Sequence, residues 1–218
     1  SLAEIVTEYR GMYATHLRDT RDGLAASVEE TIKLAKETKV KTHINHFVPF
    51  TGTEKHYEAS LEKINGLPEA IDLTFDLYPF DTSMLPLYTF LPQWAQNGGR
   101  EVMLKNIRDE WFRERILKDL GEIRSKDFRV AHAPGNETLV GKTLEELRGI
   151  FGVKTPGEAL LRLLSTTGLR GTALYRNINH GLVERALQSP RALIASNAPS
   201  FRESGREKMF KSERATGT

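Results

Sequence analysis

The segment VKTHINHFVP, residues 40–49, contains two histidines, His43 and His46, whose directions depend on its secondary structure. Its side chains are mostly β-branched or aromatic and Pro49 ends it, so the segment predicts a strand. On a helix, the spacing of His43 and His46 would put both on one face, but on a strand they point to opposite sides. We therefore expect one of them to face a site, and His46 is the candidate because it lies last, beside the loop.

Five short strand-forming runs recur along the chain, each followed by a polar turn and most by a helical pattern. This alternation predicts parallel βα units, that is, an α/β fold. The runs are RGMYATHLRD (10–19), VKTHINHF (40–47), AIDLTFDLYPF (70–80), DFRVAHAPGN (127–136) and RALIASNAP (191–199).

Two of the intervening patterns predict helices in detail. Residues 22–39 place apolar or small side chains at helical spacing, with charges on the other face. That predicted buried face consists of Leu24, Val28, Thr31, Ile32 and Ala35. Farther along, Thr155 and Pro156 are expected to begin a helix that Gly168 ends.

The stretch 81–126 reads as an insertion into a single domain that spans residues 1–218. It contains the apolar MLPLYTFLPQWAQ (84–96) and then a charged helical run from Arg100 to Arg124. Two interpretations stay open for it: an apolar lid beside an active site, or an ordinary packed subdomain.

Composition excludes several classes of function. A net charge of +2 with 28% charged residues offers no basic field for nucleic acid. No apolar run approaches the ~20 residues of a membrane span, and the start, SLAEIVTEYR, has no signal-peptide character. The absence of cysteine excludes disulfides and thiolate ligands and fits a cytoplasmic protein.

Polar side chains at the predicted strand ends are the candidates for a site, because parallel βα folds bind ligands there. Three of the six histidines fall at such ends. From spacing alone, these residues are compatible with a metal-dependent hydrolase or a lyase. The candidates, in chain order, are His16, Arg18, His46, Asp76, Tyr78, His132 and Asn197.

Several stretches resemble the D-aminoacylase (N-acyl-D-amino-acid deacylase) branch of the amidohydrolase superfamily. They occur in the family's order and extend over most of the chain, and the combination of YATHLRD (13–19) with FDLYPF to LPQWAQNGG (75–99) is the most specific part. The resemblance implies a (β/α)₈ TIM barrel with a zinc site at its strand ends, and hydrolysis of the amide of N-acyl-D-amino acids. The stretches are GMYATHLRDTRDGLAASVEETIKLA (11–35), VKTHINHF (40–47), DLTFDLYPFDTSMLPLYTFLPQWAQNGGREVMLKNIRD (72–109), GKTLEELRGIFGVKTPGEALLRLL (141–164) and PRALIASNAPSF (190–201).

The family's first-strand H-x-H pair and the following cysteine ligand do not occur in this sequence. We therefore interpret the chain as the carboxyl-side part of such a barrel, about strands four to eight, with part of the metal site absent from it. Unpaired edge strands in such a part are expected to associate, giving a homo-oligomer.

The resemblance also implies roles for single residues. His46 matches a zinc ligand on the fifth strand. His16 matches the histidine of the family's Y-A-T-H motif and is the second candidate metal ligand, with substrate contact as the alternative. Asp76 is a candidate catalytic group, while Tyr78, Arg18 and His132 are candidates for binding the acyl amino acid substrate.

Asn197 is the sharpest departure from the family pattern, because it occupies the position of the eighth-strand aspartate. An asparagine cannot serve as a carboxylate base. Two alternatives therefore stay open: an amidohydrolase for a cyclic amide or another D-amino-acid derivative, and an inactive barrel homologue that only binds ligand.

Overall fold

The computed structural model describes residues 2–196 and 208–212, which form two compact units. The first contains residues 2–81 and 177–196, and the second contains residues 82–176 and 208–212. The segment 81–126, expected as an insertion, thus opens the second unit, which continues to residue 176. Among the described residues, no helix combines the length and apolar character needed to cross a bilayer.

The elements alternate through most of the described chain. The helices are α1 (Leu2–Glu8), α2 (Leu24–Thr38), α3 (Glu54–Asn65), α4 (Gly99–Arg108), α5 (Glu110–Asp119), α6 (Leu144–Phe151), α7 (Pro156–Thr166) and α8 (His180–Leu187). The strands are β1 (Met12–His16), β2 (Lys41–Asn45), β3 (Leu73–Leu77), β4 (Thr82–Pro86), β5 (Phe128–His132), β6 (Thr172–Arg176) and β7 (Ala192–Ile194).

The first unit is built on a parallel sheet with strand order β1-β2-β3-β7. Its core contains a ring cluster in which Phe47 stacks on Tyr57 and meets Phe75 edge-on. Burial raises the pKa of the Tyr57 phenol, whose O–H donates to the Phe47 carbonyl over 3.0 Å. The predicted apolar face of α2 is buried as expected. All five predicted runs contain a strand, and four of these strands, β1, β2, β3 and β7, lie in this one parallel sheet.

Arg191 joins β7 to the rest of this unit. Its guanidinium donates to the carbonyls of Leu67, Pro68, Ile71 and Leu73 at 2.8–3.1 Å. Because guanidinium hydrogen bonds are charge-assisted, this side chain holds the short β7 beside β3.

The second unit has an antiparallel sheet with strand order β4-β6-β5. The prediction that the fourth run forms another parallel βα strand is wrong, because β5 pairs antiparallel with β6. The strand TALYR (172–176), which the sequence interpretation had not assigned, supplies the partner for both β4 and β5.

The apolar segment 84–96 packs inside this second unit. Leu87, Leu91 and Ala95 are buried in the same core as the inner faces of α6 and α7. This burial supports the packed-subdomain interpretation of the segment. The predicted helical run from Arg100 to Arg124 is instead two helices, because Asp109 adopts an extended conformation and caps the second.

Helix α7 begins and ends as predicted. The Thr155 side chain caps the helix in a reciprocal pair with Glu158, and Pro156 occupies the first turn. Backbone hydrogen bonds from Thr155 hold the pKa of Glu158 below its usual range. The chain leaves the helix at Gly168, whose φ is +55°.

Candidate metal-binding site

Two candidate ligands, His16 and His46, meet where neighbouring parallel strands end. His16 is the last residue of β1 and pairs in register with Asn45, the last residue of β2, so His46 follows directly beside it. The two imidazole rings have centroids 5.1 Å apart and planes tilted by 38°. Parallel pairing thus brings two histidines that are 30 residues apart in sequence to one edge of the sheet.

Asp76 lies on the adjacent strand β3 and contacts His46 through the carboxylate. Its Oδ1 accepts the backbone N–H of His46 over 2.9 Å and lies 3.1 Å from the His46 Nδ1. The side chain of Asp76 is only 11% exposed. A buried carboxylate requires such partners, because an unpaired one would be costly.

The same carboxylate also holds His43. Oδ2 of Asp76 lies 3.0 Å from Nε2 of His43, and the other ring nitrogen, Nδ1, lies 2.8 Å from the hydroxyl of Thr74. Both nitrogens of His43 are thereby engaged, whereas His46 uses only Nδ1 in this cluster.

The prediction that His43 and His46 face opposite ways is wrong, because both contact Asp76. Strand β2 ends at Asn45, and His46 adopts a φ of +57°, in the left-handed region. The two-residue alternation of side chains applies only within a strand, so this turn returns the His46 ring to the side of His43. The two hydrogen bonds from His46 to Asp76 stabilise a conformation that non-glycine residues seldom adopt.

Sequence reasoning missed His43 and Thr74, because it expected only one of His43 and His46 to face a site. A signal for both was present. Alternation places His43 and Asn45 on one face of β2, and Thr74 and Asp76 on one face of β3. A histidine and two polar side chains on the same face of adjacent buried strands indicate a shared polar cluster.

The remaining candidates have other surroundings or lie outside what the structure describes, and their roles stay predictions. Tyr78 is 3% exposed and belongs to the core of the first unit. Arg18 is largely exposed and donates to Glu30 at 2.8 and 3.1 Å, and this hydrogen bond raises the pKa of Arg18. Asn197 lies outside the described residues.

His132 ends β5 in the antiparallel sheet of the second unit. Burial lowers its pKa, and the positive charge of Lys208 acts in the same direction, while Glu137 opposes both. Its assignment to substrate binding stays a prediction.

The lowered pKa of His132 predicts a pH effect on stability. The unfolded chain binds this proton more readily, so the contribution to stability is fully present above the ordinary pKa of about 6.5 and is lost as pH falls below that value through the lowered pKa of the folded chain. We expect the free energy of unfolding to rise less between about pH 5 and pH 7 in His132→Gln than in the wild type. Urea unfolding at a series of pH values measures this difference, with the exposed His56→Gln as control. Parallel curves of unfolding free energy against pH for wild type and His132→Gln would contradict the lowered pKa of His132.

The donor set can be compared with what zinc requires. Neutral imidazole is a common zinc ligand, and a ligating histidine usually donates its second ring N–H to a carboxylate. His46 shows this arrangement, with Nδ1 on Asp76 and Nε2 left for a metal. His16 and His46 thus fit two of the three protein ligands of a catalytic zinc. Within residues 2–196 and 208–212, no group of three or more His, Cys, Asp or Glu side chains is placed to hold a metal.

Solved structures that this chain resembles include a D-aminoacylase and an N-acyl-D-glutamate deacylase. One is a D-aminoacylase described as defining a novel subset of amidohydrolases, with a TM-score of 0.56, 20% identity and coverage of 88% of this chain. A second is the N-acyl-D-glutamate deacylase from Bordetella bronchiseptica, complexed with zinc and a phosphonate inhibitor, with a TM-score of 0.59, 20% identity and coverage of 90%.

The match confirms the resemblance to the D-aminoacylase branch that the motifs predicted, and at 20% identity the likeness is one of fold. The chain spans about a third of the length of these structures, 33% of the D-aminoacylase and 34% of the N-acyl-D-glutamate deacylase. No protein-family model and no curated protein matches the sequence.

Proposed function

We propose that this chain is part of a zinc-dependent amidohydrolase that hydrolyses the amide bond of N-acyl-D-amino acids. The observation that carries the proposal is the His16–His46 pair at the adjoining ends of two parallel strands, on a fold shared with D-aminoacylases. The carboxyl ends of parallel strands are where βα barrels place catalytic groups.

The proposal includes a partial (β/α)₈ barrel. Four parallel strands in the order β1-β2-β3-β7 are half the number in a complete barrel, and the two imidazole donors are fewer than a catalytic zinc needs. Both observations support further strands and ligands supplied outside the described residues. Met12, Leu193 and Ile194, on the two outer strands of this sheet, are exposed, which also supports further pairing. A homo-oligomer stays a prediction, as does a cytoplasmic location.

Zinc, when bound, would supply hydroxide at neutral pH and charge stabilisation for the developing oxyanion. His46 would present Nε2 to it, and His16 would supply a second imidazole. Arg18 is the candidate for binding the α-carboxylate of the substrate. That carboxylate would have to replace Glu30 as the ion-pair partner of Arg18. Because each oxygen of Asp76 is already engaged, Asp76 is a poor candidate for the general base.

A second candidate function is ligand binding without hydrolysis. Asn197 cannot replace the family aspartate as a base, and Asp76 is held by two histidines. A general base contributes ~10²–10⁴-fold to rate, so its absence would separate a binding protein from an enzyme. A change of substrate to a cyclic amide is the other alternative.

The experiment that tests these proposals is an assay of the protein as encoded, including any residues encoded before Ser1. N-acetyl-D-amino acids, among them N-acetyl-D-glutamate, are offered with and without added zinc, with the L-enantiomers as controls. Zinc-dependent release of the D-amino acid supports the deacylase. Binding of N-acetyl-D-amino acids without release supports the second candidate, and neither binding nor release would contradict both.

A further inference from the structure

The hydrogen bonds around Asp76 determine more than the position of one side chain. An ionised carboxylate has no hydrogen to donate, so it acts only as an acceptor of hydrogen bonds. A neutral imidazole carries one N–H donor and one acceptor nitrogen. The partners of Asp76 therefore determine which nitrogen of each histidine carries the proton. Since the two histidines present different nitrogens to the same carboxylate, they are held in opposite tautomers.

His43 directs Nε2 at Asp76, so Nε2 carries the hydrogen. Its Nδ1 is then the acceptor, and the Thr74 hydroxyl at 2.8 Å is the donor that satisfies it. The His43 side chain is 12% exposed, so water competes little for these positions. Thr74, His43 and Asp76 thus form a chain of hydrogen bonds with one direction.

His46 directs Nδ1 at Asp76, so Nδ1 carries the hydrogen and the lone pair lies on Nε2. The backbone N–H of His46 donates to the same oxygen of Asp76, so the carboxylate holds main chain and ring together. The side chain of His46 is 33% exposed, three times the fraction of Asp76, which leaves the ring accessible.

We propose that Asp76 is a positioning residue, supported by His43 and Thr74, that holds His46 with its Nε2 lone pair available as a ligand atom. The assignment deepens the proposed function and rests on it for the identity of the ligand, zinc. It replaces the catalytic role first considered for Asp76. The hydrogen-bond chain itself stands on geometry alone.

The first test uses the 218-residue chain without metal. Nitrogen-15 NMR of the imidazoles at about pH 8, above the ordinary titration range of histidine, identifies the protonated nitrogen in each ring. We expect an Nε2–H tautomer for His43 and an Nδ1–H tautomer for His46. The reverse tautomer at either residue overturns the proposal.

Two variants separate the roles. Asp76→Asn keeps the shape but offers one acceptor and one NH₂ donor, so at least one of His43 and His46 must change its tautomer. Thr74→Val removes only the hydroxyl donor to His43, so His46 is expected to keep its tautomer. Far-ultraviolet circular dichroism of each variant confirms that it is folded. Unchanged tautomers at both histidines in folded Asp76→Asn would overturn the role of Asp76.

The second test measures zinc binding by the protein as encoded, including any residues encoded before Ser1, in competition with a chromophoric chelator. Mutation of a residue that orients a ligand typically costs 10–100-fold in metal affinity, and we expect a loss of ~10–100-fold in Asp76→Asn. His56→Gln, on the exposed face of α3, serves as the control and should bind zinc as the wild type does. Equal zinc affinity in wild type and Asp76→Asn overturns the positioning role.

Failure of the proposed function and failure of the positioning role give different results. Expected tautomers with no zinc binding in the wild type would contradict the zinc ligand role, and with it the proposed function, but not the hydrogen-bond chain. Zinc binding with the wrong tautomers would contradict the positioning role and leave the proposed function intact.

Discussion

Replacing His46 by Ala is expected to reduce zinc affinity by more than ~100-fold, since even the loss of a residue that only orients a ligand costs 10–100-fold. The physical reason is that the substitution removes the nitrogen itself, while Asp76 and His43 keep their own hydrogen bond. Zinc affinity is measured by competition with a chromophoric chelator, in the wild type and in the variant of the protein as encoded. In the protein as encoded, the rate of any zinc-dependent deacylation is expected to fall with the affinity when zinc is limiting.

One control variant and one further ligand variant make this prediction specific. His56→Ala removes an exposed imidazole from α3 and is expected to leave zinc affinity unchanged. His16→Ala removes the other candidate ligand, whose ring lies 5.1 Å from that of His46, and is expected to weaken binding as well. Wild-type affinity in His46→Ala would exclude residue 46 as a ligand and remove the main support for the proposed function.

Replacing Phe75 by Ala is expected to lower the free energy of unfolding by about 3–5 kcal/mol, the range for truncating a buried aromatic side chain. Phe75 is fully buried on β3 and packs edge-on against Phe47 with ring centroids 5.2 Å apart. The loss combines the transfer free energy of the ring with the cavity left beside Phe47, on which Tyr57 stacks.

Urea unfolding followed by circular dichroism measures the effect of Phe75→Ala. Tyr9→Ala is the matched aromatic control, because Tyr9 is 80% exposed and its removal should change stability by no more than ~0.5 kcal/mol. A loss below ~1 kcal/mol in Phe75→Ala would show that the Phe47–Tyr57–Phe75 cluster is not the centre of this core.

Local features of the fold were predictable because they depend on residues close in sequence. The buried face of α2 follows from apolar spacing, and the start of α7 follows from a Thr cap followed by Pro. The β-branched residues of segment 40–47 indicate a strand, and the strand-forming runs place His16 and His46 at strand ends without any knowledge of strand pairing.

The segment from Arg100 to Arg124 shows where this reasoning fails at short range. Charged residues at helical spacing run through Asp109, yet the helix breaks there because the aspartate side chain accepts the backbone N–H of Phe112 and caps a new helix. A helix former and a helix cap look alike when the same carboxylate can point to solvent or to the backbone.

The sequence by itself determined five of the seven strands of the described residues, the buried face of α2, the start of α7 and which candidate side chains lie at strand ends. Only the tertiary structure decided that β5 pairs antiparallel with β6, and that His43 joins His46 on Asp76. Strand direction depends on partners far along the chain, which local periodicity does not specify. The left-handed turn at His46 likewise depends on a carboxylate 30 residues away, whose two hydrogen bonds stabilise a backbone conformation that local propensity disfavours.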